Sequence, residues 1–166
     1  MRLFVAVWPP PEVVERLAGL SRPSRSGVRW TAPDQWHVTL RFFGSVDDLD
    51  DGKRAFDLLA SPGVAVATAG PAVERLGPSI LCLPVAGLDD LATRVVAATA
   101  SVGSPPDDRP FRGHITLARA KRGVAVRPLA GEPFRATWPV EELTLVASDT
   151  RPDRAHYTVL ERYPLA

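Results

Sequence analysis

Seventeen prolines, scattered through 166 residues instead of gathered in one tract, cut this chain into short segments. That is well above an average usage of about 5%, and their spacing marks turns between periodic stretches, not a disordered linker. What lies between them sets the fold class. Leu3–Trp8, Val28–Thr31, Trp36–Phe43, Val64–Thr68, Ile80–Val85, Gly113–Ala118, Phe134–Trp138, Leu143–Ala147 and Tyr157–Leu160 read as strands by β-branched and aromatic content. Pro11–Leu20 and Leu88–Val102 carry apolar residues at helical spacing. Asp47, Asp48 and Asp50 suit the entry of a further helix over Lys53–Leu59, stopped by Ser61, Pro62 and Gly63. Runs of strands interrupted by single helices predict an α+β fold and not a doubly wound sheet. No long linker separates the halves, so residues 1–166 are expected to form one domain of two lobes.

Hydrophobic residues at 45% and charged residues at 23% suit a soluble globular chain. No apolar run approaches the roughly 20 residues that span a bilayer, and the opening MRLFVAVWPP is too short for a secretory signal. One cysteine, Cys82, excludes a disulfide framework, so the cytoplasm is the expected location. A net charge of +1 argues against a general duplex-coating module and restricts any nucleic-acid contact to an end or a single phosphate.

The chemistry concentrates in a repeated pattern. Each of the three histidines is followed two residues later by threonine: His37-Val38-Thr39-Leu40, His114-Ile115-Thr116-Leu117 and His156-Tyr157-Thr158-Val159. In a strand, residues i and i+2 share a face, so His37 with Thr39, and His114 with Thr116, each point to one side. Val38, Leu40 and Phe42, like Ile115 and Leu117, are then expected to point to a core. A matched pair in corresponding strands predicts two similar lobes facing a cleft. Two imidazoles, with unperturbed pKa values of about 6.5, suit proton transfer at both ends of a displacement at phosphorus. The threonine hydroxyls can bind non-bridging phosphate oxygens. This arrangement is nearly symmetric and leaves open which histidine is acid and which is base. His156 has no third lobe to serve and is expected at the surface or the cleft rim. Strict alternation puts Arg41, four residues after His37, on the cleft face. Arg119, five residues after His114, has the wrong parity and reaches the cleft only through a bulge. Phe42, Phe43 and Phe111 can stack on a base, although Phe42 is expected in the core. No metal-ligand set is visible, and no cofactor is expected.

Arg2–Ala6, the stretch WHVTLRFFG at 36–44, RPFRGHITLAR at 109–119 and the tail Tyr157–Leu165 together resemble the two-histidine (2H) phosphoesterases, in particular the bacterial RNA 2′,3′-cyclic phosphodiesterases, also called 2′-5′ RNA ligase-like. The resemblance spans nearly the whole chain. It implies a bilobal fold, two antiparallel sheets flanking a central cleft with helices outside, and metal-independent hydrolysis of a 2′,3′-cyclic phosphate to a 2′-phosphomonoester. It makes His37 the proton donor to the leaving 3′-oxygen and His114 the acceptor that activates water. Thr39 and Thr116 follow as phosphate ligands, and Arg119 matches the family's arginine after the second motif. The implied partners are RNA ends or nucleotides bearing a 2′,3′-cyclic phosphate, met by a monomer with no obligate protein partner. Relatives commonly carry an arginine and a tryptophan where this chain reads Gly77–Leu83, and Lys121–Gly131 is short, which leaves the cleft more open. Alternative readings are a phosphodiesterase of small cyclic nucleotides or ADP-ribose cyclic phosphate, accompanying RNA-ligase activity, and a non-catalytic RNA-end-binding protein.

Overall fold

Pro9 and Pro10 end the first strand, and Pro11 opens the first helix at the position where its missing N–H costs nothing. From there the computed structural model, which describes residues 2–57, 59 and 63–165, alternates as the periodicity predicts. Its elements are β1 (Arg2–Val7), α1 (Pro11–Ala18), β2 (Val28–Trp30), β3 (Val38–Ser45), α2 (Leu49–Asp57), β4 (Ala65–Ala69), β5 (Glu74–Leu76), β6 (Ile80–Ala86), α3 (Asp89–Ala98), β7 (His114–Ala120), β8 (Ala136–Val140), β9 (Glu142–Thr150) and β10 (Ala155–Pro164). β5 is unexpected: three residues carry too little pattern to read. Ser61 and Pro62, expected to stop α2, lie outside the described residues. Not every proline is punctuation. Pro139 lies within β8, the last strand of the sheet, where an unpaired edge tolerates the missing donor. Pro84 lies within β6, opposite His114.

The fold is α+β, a mostly antiparallel sheet curled into a half-barrel. The strand order is β10-β9-β1-β3-β7-β6-β4-β8, with β2 also on β7 and β5 on β6. The two expected sheets are therefore continuous. They meet at β3 and β7, whose antiparallel ladder has one registered pair, Val38 with Ile115. A junction that short lets the halves splay on either side of it.

One face of the sheet builds the core. Leu3, Val5 and Val7 of β1, Val38 and Phe43 of β3, Ile115 of β7 and Leu143 and Leu145 of β9 are fully buried there. Each such side chain contributes about 1.5–3 kcal/mol of burial. α1 adds Val13 and Leu17, and α3 adds Leu91, Ala92 and Val95. On the other face of β1, a separate small cluster of Phe4, Ala6 and Val146 is flanked by Trp8 and Tyr157. The two clusters show that β1 is apolar on both faces for different reasons, and the second surrounds the candidate site.

Candidate active site

His37 sits one residue before β3, at the exit of a 3-10 turn over Pro33–Gln35, and not inside the strand as expected. The turn is pinned from both ends. The Gln35 amide accepts from the Ala32 N–H at 2.9 Å and donates to the Ala155 carbonyl at 3.0 Å. Next to it the buried Trp36 indole donates to Thr31 Oγ1 at 2.9 Å, and Thr31 Oγ1 lies 2.8 Å from the Thr116 carbonyl. Thr31 thus ties the approach to β3 onto β7. On the β7 side, a Cβ at Gly113 would lie 2.3 Å from the Val85 carbonyl. Glycine before His114 is what lets the start of β7 press against β6.

Both histidines are held the same way. His37 Nδ1 lies 2.7 Å from the Gln35 carbonyl and His114 Nδ1 lies 2.6 Å from the Arg112 carbonyl, in each case two residues back. A carbonyl only accepts, so Nδ1 carries the hydrogen and Nε2 is the nitrogen that exchanges protons. Here the symmetry ends. His37 Nε2 accepts from the Thr39 hydroxyl at 3.0 Å, whereas His114 Nε2 has no such partner among the described residues.

The Val38–Ile115 pair brings these groups together. Carrying that antiparallel register one residue each way sets His37 opposite Thr116 and Thr39 opposite His114. Val38 and Ile115 are fully buried on the other face, so the four candidate side chains share the open one. His37 and His114 are then diagonal neighbours across the junction, about 7–8 Å apart in a regular ladder, and the charge of His114 reaches His37. One phosphate can span that distance and meet both imidazoles.

The aromatic environment of His37 goes beyond what the strand pattern predicts. Its ring stacks on Phe4 at 4.9 Å and 28°, and meets Trp8 at 5.2 Å and the edge of Tyr157 at 5.2 Å. The Trp8 indole is fixed in turn by donating to Thr144 Oγ1 at 2.7 Å. Burial among these rings lowers the His37 pKa from 6.5 to about 4; the Gln35 carbonyl opposes the shift, and the charges of His114 and Arg119 add to it. The Tyr157 hydroxyl is pushed up by the same burial, with Arg119 opposing. The signal available in the sequence is Phe4 lying between the two core residues Leu3 and Val5, which commits it to the opposite face.

Two bulges decide what else faces the cleft. In β3, Ala6 pairs with Thr39 and Val5 with Arg41, so Leu40 is the extra residue; in β7, Cys82 pairs with Thr116 and Leu81 with Ala118, so Leu117 is extra. Each bulge falls on the leucine that follows the threonine, and each reverses the parity beyond it. Arg41, expected on the cleft face as a phosphate ligand, is turned into the core side and is only 4% exposed. Its guanidinium donates to the carbonyls of Phe42 at 2.7 Å, Val102 at 3.0 Å and Ser104 at 2.8 Å, closing the chain after α3 onto β3. Phe42, expected in the core, instead pairs with Phe4 and is 44% exposed, whereas Phe43 is fully buried. Arg119 gains the cleft face through the β7 bulge. It is exposed, and its charge is felt by both His37 and Tyr157.

His156 takes no part. Tyr157 faces His37, so its neighbour His156 projects to the other face of β10, where its Nε2 lies 3.2 Å from the Asp153 carboxylate. Beside His114 a groove of about 220 Å³ runs past Phe111, Arg112, Glu74 and Cys82. Burial first, then Glu74, raises the Cys82 thiol to about 11, with Arg112 opposing. Among the described residues, no three His, Cys, Asp or Glu side chains converge as a metal site.

Residues 7–68, which include His37, match the family model of LigT-like phosphoesterases. The RNA 2′,3′-cyclic phosphodiesterase of Escherichia coli (strain K12) is 33% identical over 99% of this chain and 96% of its own length. The Thermus thermophilus protein of the same name is 32% identical over 99% of this chain and 90% of its own. Escherichia coli LigT crystallised with 3′-AMP superposes with a TM-score of 0.80 at 31% identity, covering 99% of this chain and 97% of that one. A crystal structure of a Thermus thermophilus protein gives a TM-score of 0.82 at 30% identity over 99% of this chain and 98% of its own. With this much of its length shared, and His37 inside the matched segment, the chain belongs to the LigT-like phosphoesterase family.

Proposed function

We propose that this chain hydrolyses 2′,3′-cyclic phosphate ends of RNA to 2′-phosphomonoesters, with His37 and His114 as an acid–base pair. The observation that carries the reading is the common mounting of the two imidazoles: each Nδ1 is committed to a backbone carbonyl, and each Nε2 is left to one shared face. In the forward step a water oxygen attacks phosphorus while His114 Nε2, which has no partner among the described residues, takes its proton. The bond from phosphorus to the 3′-oxygen breaks, and His37 Nε2–H delivers a proton to that oxygen. Thr39 and Thr116 donate to the non-bridging oxygens, and Arg119 offsets their negative charge. Solvent then returns the two histidines to their starting states. The assignment of His37 as donor follows the family resemblance, and the cage around it adds a condition. At neutral pH the empty His37 is uncharged, so the anionic substrate itself draws the proton onto it.

The relatives support the substrate class: two curated proteins of similar length carry this activity in their names, and LigT from Escherichia coli accommodates 3′-AMP. On this reading the chain works in the cytoplasm as a single copy, residues 1–166 acting as one domain whose lobes meet at the β3–β7 junction. The test is an oligonucleotide ending in a 2′,3′-cyclic phosphate, incubated with excess EDTA and followed by ³¹P NMR. The expected product is a 2′-monoester, absent with His37→Ala and with His114→Ala. A 3′-monoester would reverse which ribose oxygen leaves; turnover surviving either substitution, or abolished by EDTA, would overturn the mechanism.

A further inference from the structure

On the cleft face, Arg29 of β2 and Arg119 of β7 are direct antiparallel partners. Their flanking residues fix the direction. Trp30 and Ala118, the next pair, turn toward the core, where Ala118 is fully buried, so Arg29 and Arg119 turn the other way, and both are exposed. Like charges placed directly opposite in a sheet repel each other. Nothing among the described residues relieves that repulsion: neither guanidinium enters an ion pair, and the only side-chain hydrogen bond from either is a long one, 3.4 Å, from Arg29 to the Asp153 carbonyl. The nearby carboxylates are already taken. Asp34 is held by Arg154 at 2.7 and 2.8 Å, and the Asp153 carboxylate by His156 at 3.2 Å. An uncompensated arginine pair with planar donors is suited to a phosphate.

Its position says which phosphate. Arg119 lies on the cleft face of β7, five residues along from His114, and its charge reaches His37, so it borders the reacting centre. Arg29 stands directly across from it, about 5 Å away, on β2, which follows β3 along the same edge of β7 and so continues the cleft face past the histidines. In RNA ending in a 2′,3′-cyclic phosphate, every other phosphate lies on the 5′ side of the terminal nucleoside. We propose that Arg29 and Arg119 together form a subsite for the phosphodiester on that 5′ side, so that the chain selects oligonucleotide ends over free cyclic nucleotides. This rests on the hydrolase reading above and names the substrate within it.

Binding tests the subsite without turnover. The probes are uridine 2′-phosphate and a uridine dinucleotide ending in a 2′-phosphate, titrated calorimetrically over a range of NaCl concentrations. The wild type should bind the dinucleotide on the order of 10-fold more tightly, with a log Kd against log salt slope steeper by about 0.7, the increment for one single-stranded phosphate contact. Arg29→Gln should remove both the preference and the additional slope, whereas Arg29→Lys should retain the slope. Equal weakening of both probes by Arg29→Gln, or an intact preference, would overturn the subsite. Absence of turnover on a cyclic-phosphate end would strike the hydrolase reading alone, leaving the Kd ratio to decide the subsite.

Discussion

Mild acidification, from pH 6.5 to 4, should destabilise this protein through His37. In the folded chain its pKa is about 4, lowered chiefly by burial against Phe4, Trp8 and Tyr157. In the unfolded chain it returns to about 6.5. The folded value is the lower one, so below pH 6.5 the unfolded state takes up a proton that the folded state refuses. The His37 contribution is then lost as pH falls from 6.5 to 4, and little more of it is lost below that. At about 1.4 kcal/mol per pH unit the whole interval is worth up to about 3 kcal/mol, of which about 2 has gone by pH 5. Urea unfolding of the wild type and of His37→Gln, run side by side from pH 7.5 to 4, isolates the effect, because the other titrating groups are common to both. The gap between the two proteins should move by that amount in favour of the variant. A gap constant across this range would refute the claim that the aromatic rings keep His37 neutral.

The same residue links stability to catalysis. In the proposed mechanism His37 is the proton donor; with a free pKa near 4 it is almost wholly deprotonated at pH 7, so the anionic substrate has to supply the attraction that charges it. A ¹H–¹³C titration of the His37 ring should therefore give a value near 4 for the empty protein and a higher one in saturating inorganic phosphate. The kcat profile should accordingly keep its basic limb at higher pH than the kcat/KM profile, since the first reports the complex and the second the free enzyme.

Three further outcomes follow from the site and its supports. His37→Ala and His114→Ala should each lower turnover roughly 10²–10⁴-fold in a ³¹P assay while circular dichroism stays native. Phe4→Ala should raise the His37 pKa toward 6.5 by NMR and cost about 3–5 kcal/mol in urea unfolding, because it opens the cage and the small cluster together. Arg41→Met should lower stability by several kcal/mol, at about 1–3 kcal/mol per abandoned carbonyl, while kcat/KM per folded molecule stays near wild type. A selective loss of kcat/KM there would return Arg41 to the phosphate.

Much of this fold is legible because strands announce themselves through periodicity, and the bounds of β1, α1, β2 and β6 fall within two residues of those expected. The histidine pair is legible for the same reason: a two-residue repeat needs no tertiary information to place His37 with Thr39. The rings around His37 are not, because Trp8 and Tyr157 come from opposite ends of the chain and meet only through the β1–β9–β10 ladder. Propensity has no term for that meeting.

The bulges are the more instructive limit. Alternation from His37 predicts Arg41 in the cleft and Phe42 in the core; alternation from His114 predicts Arg119 pointing away. All three placements invert at one residue per strand, Leu40 in β3 and Leu117 in β7. Both leucines are buried, so each bulge keeps two successive residues on the core side: Leu40 with Arg41, and Leu117 with Ala118. The residue five beyond each histidine is thereby returned to the open face, Phe42 in one strand and Arg119 in the other. Up to that residue the two strands share their geometry and differ in what it presents, an aromatic surface on the His37 side and a cation on the His114 side; beyond Phe42, β3 shifts register against β1 a second time. On the proposed function, a phosphate held between the imidazoles meets an asymmetric cleft, and that asymmetry supplies what the repeated H-x-T pattern cannot: a reason for the different roles proposed for the two histidines.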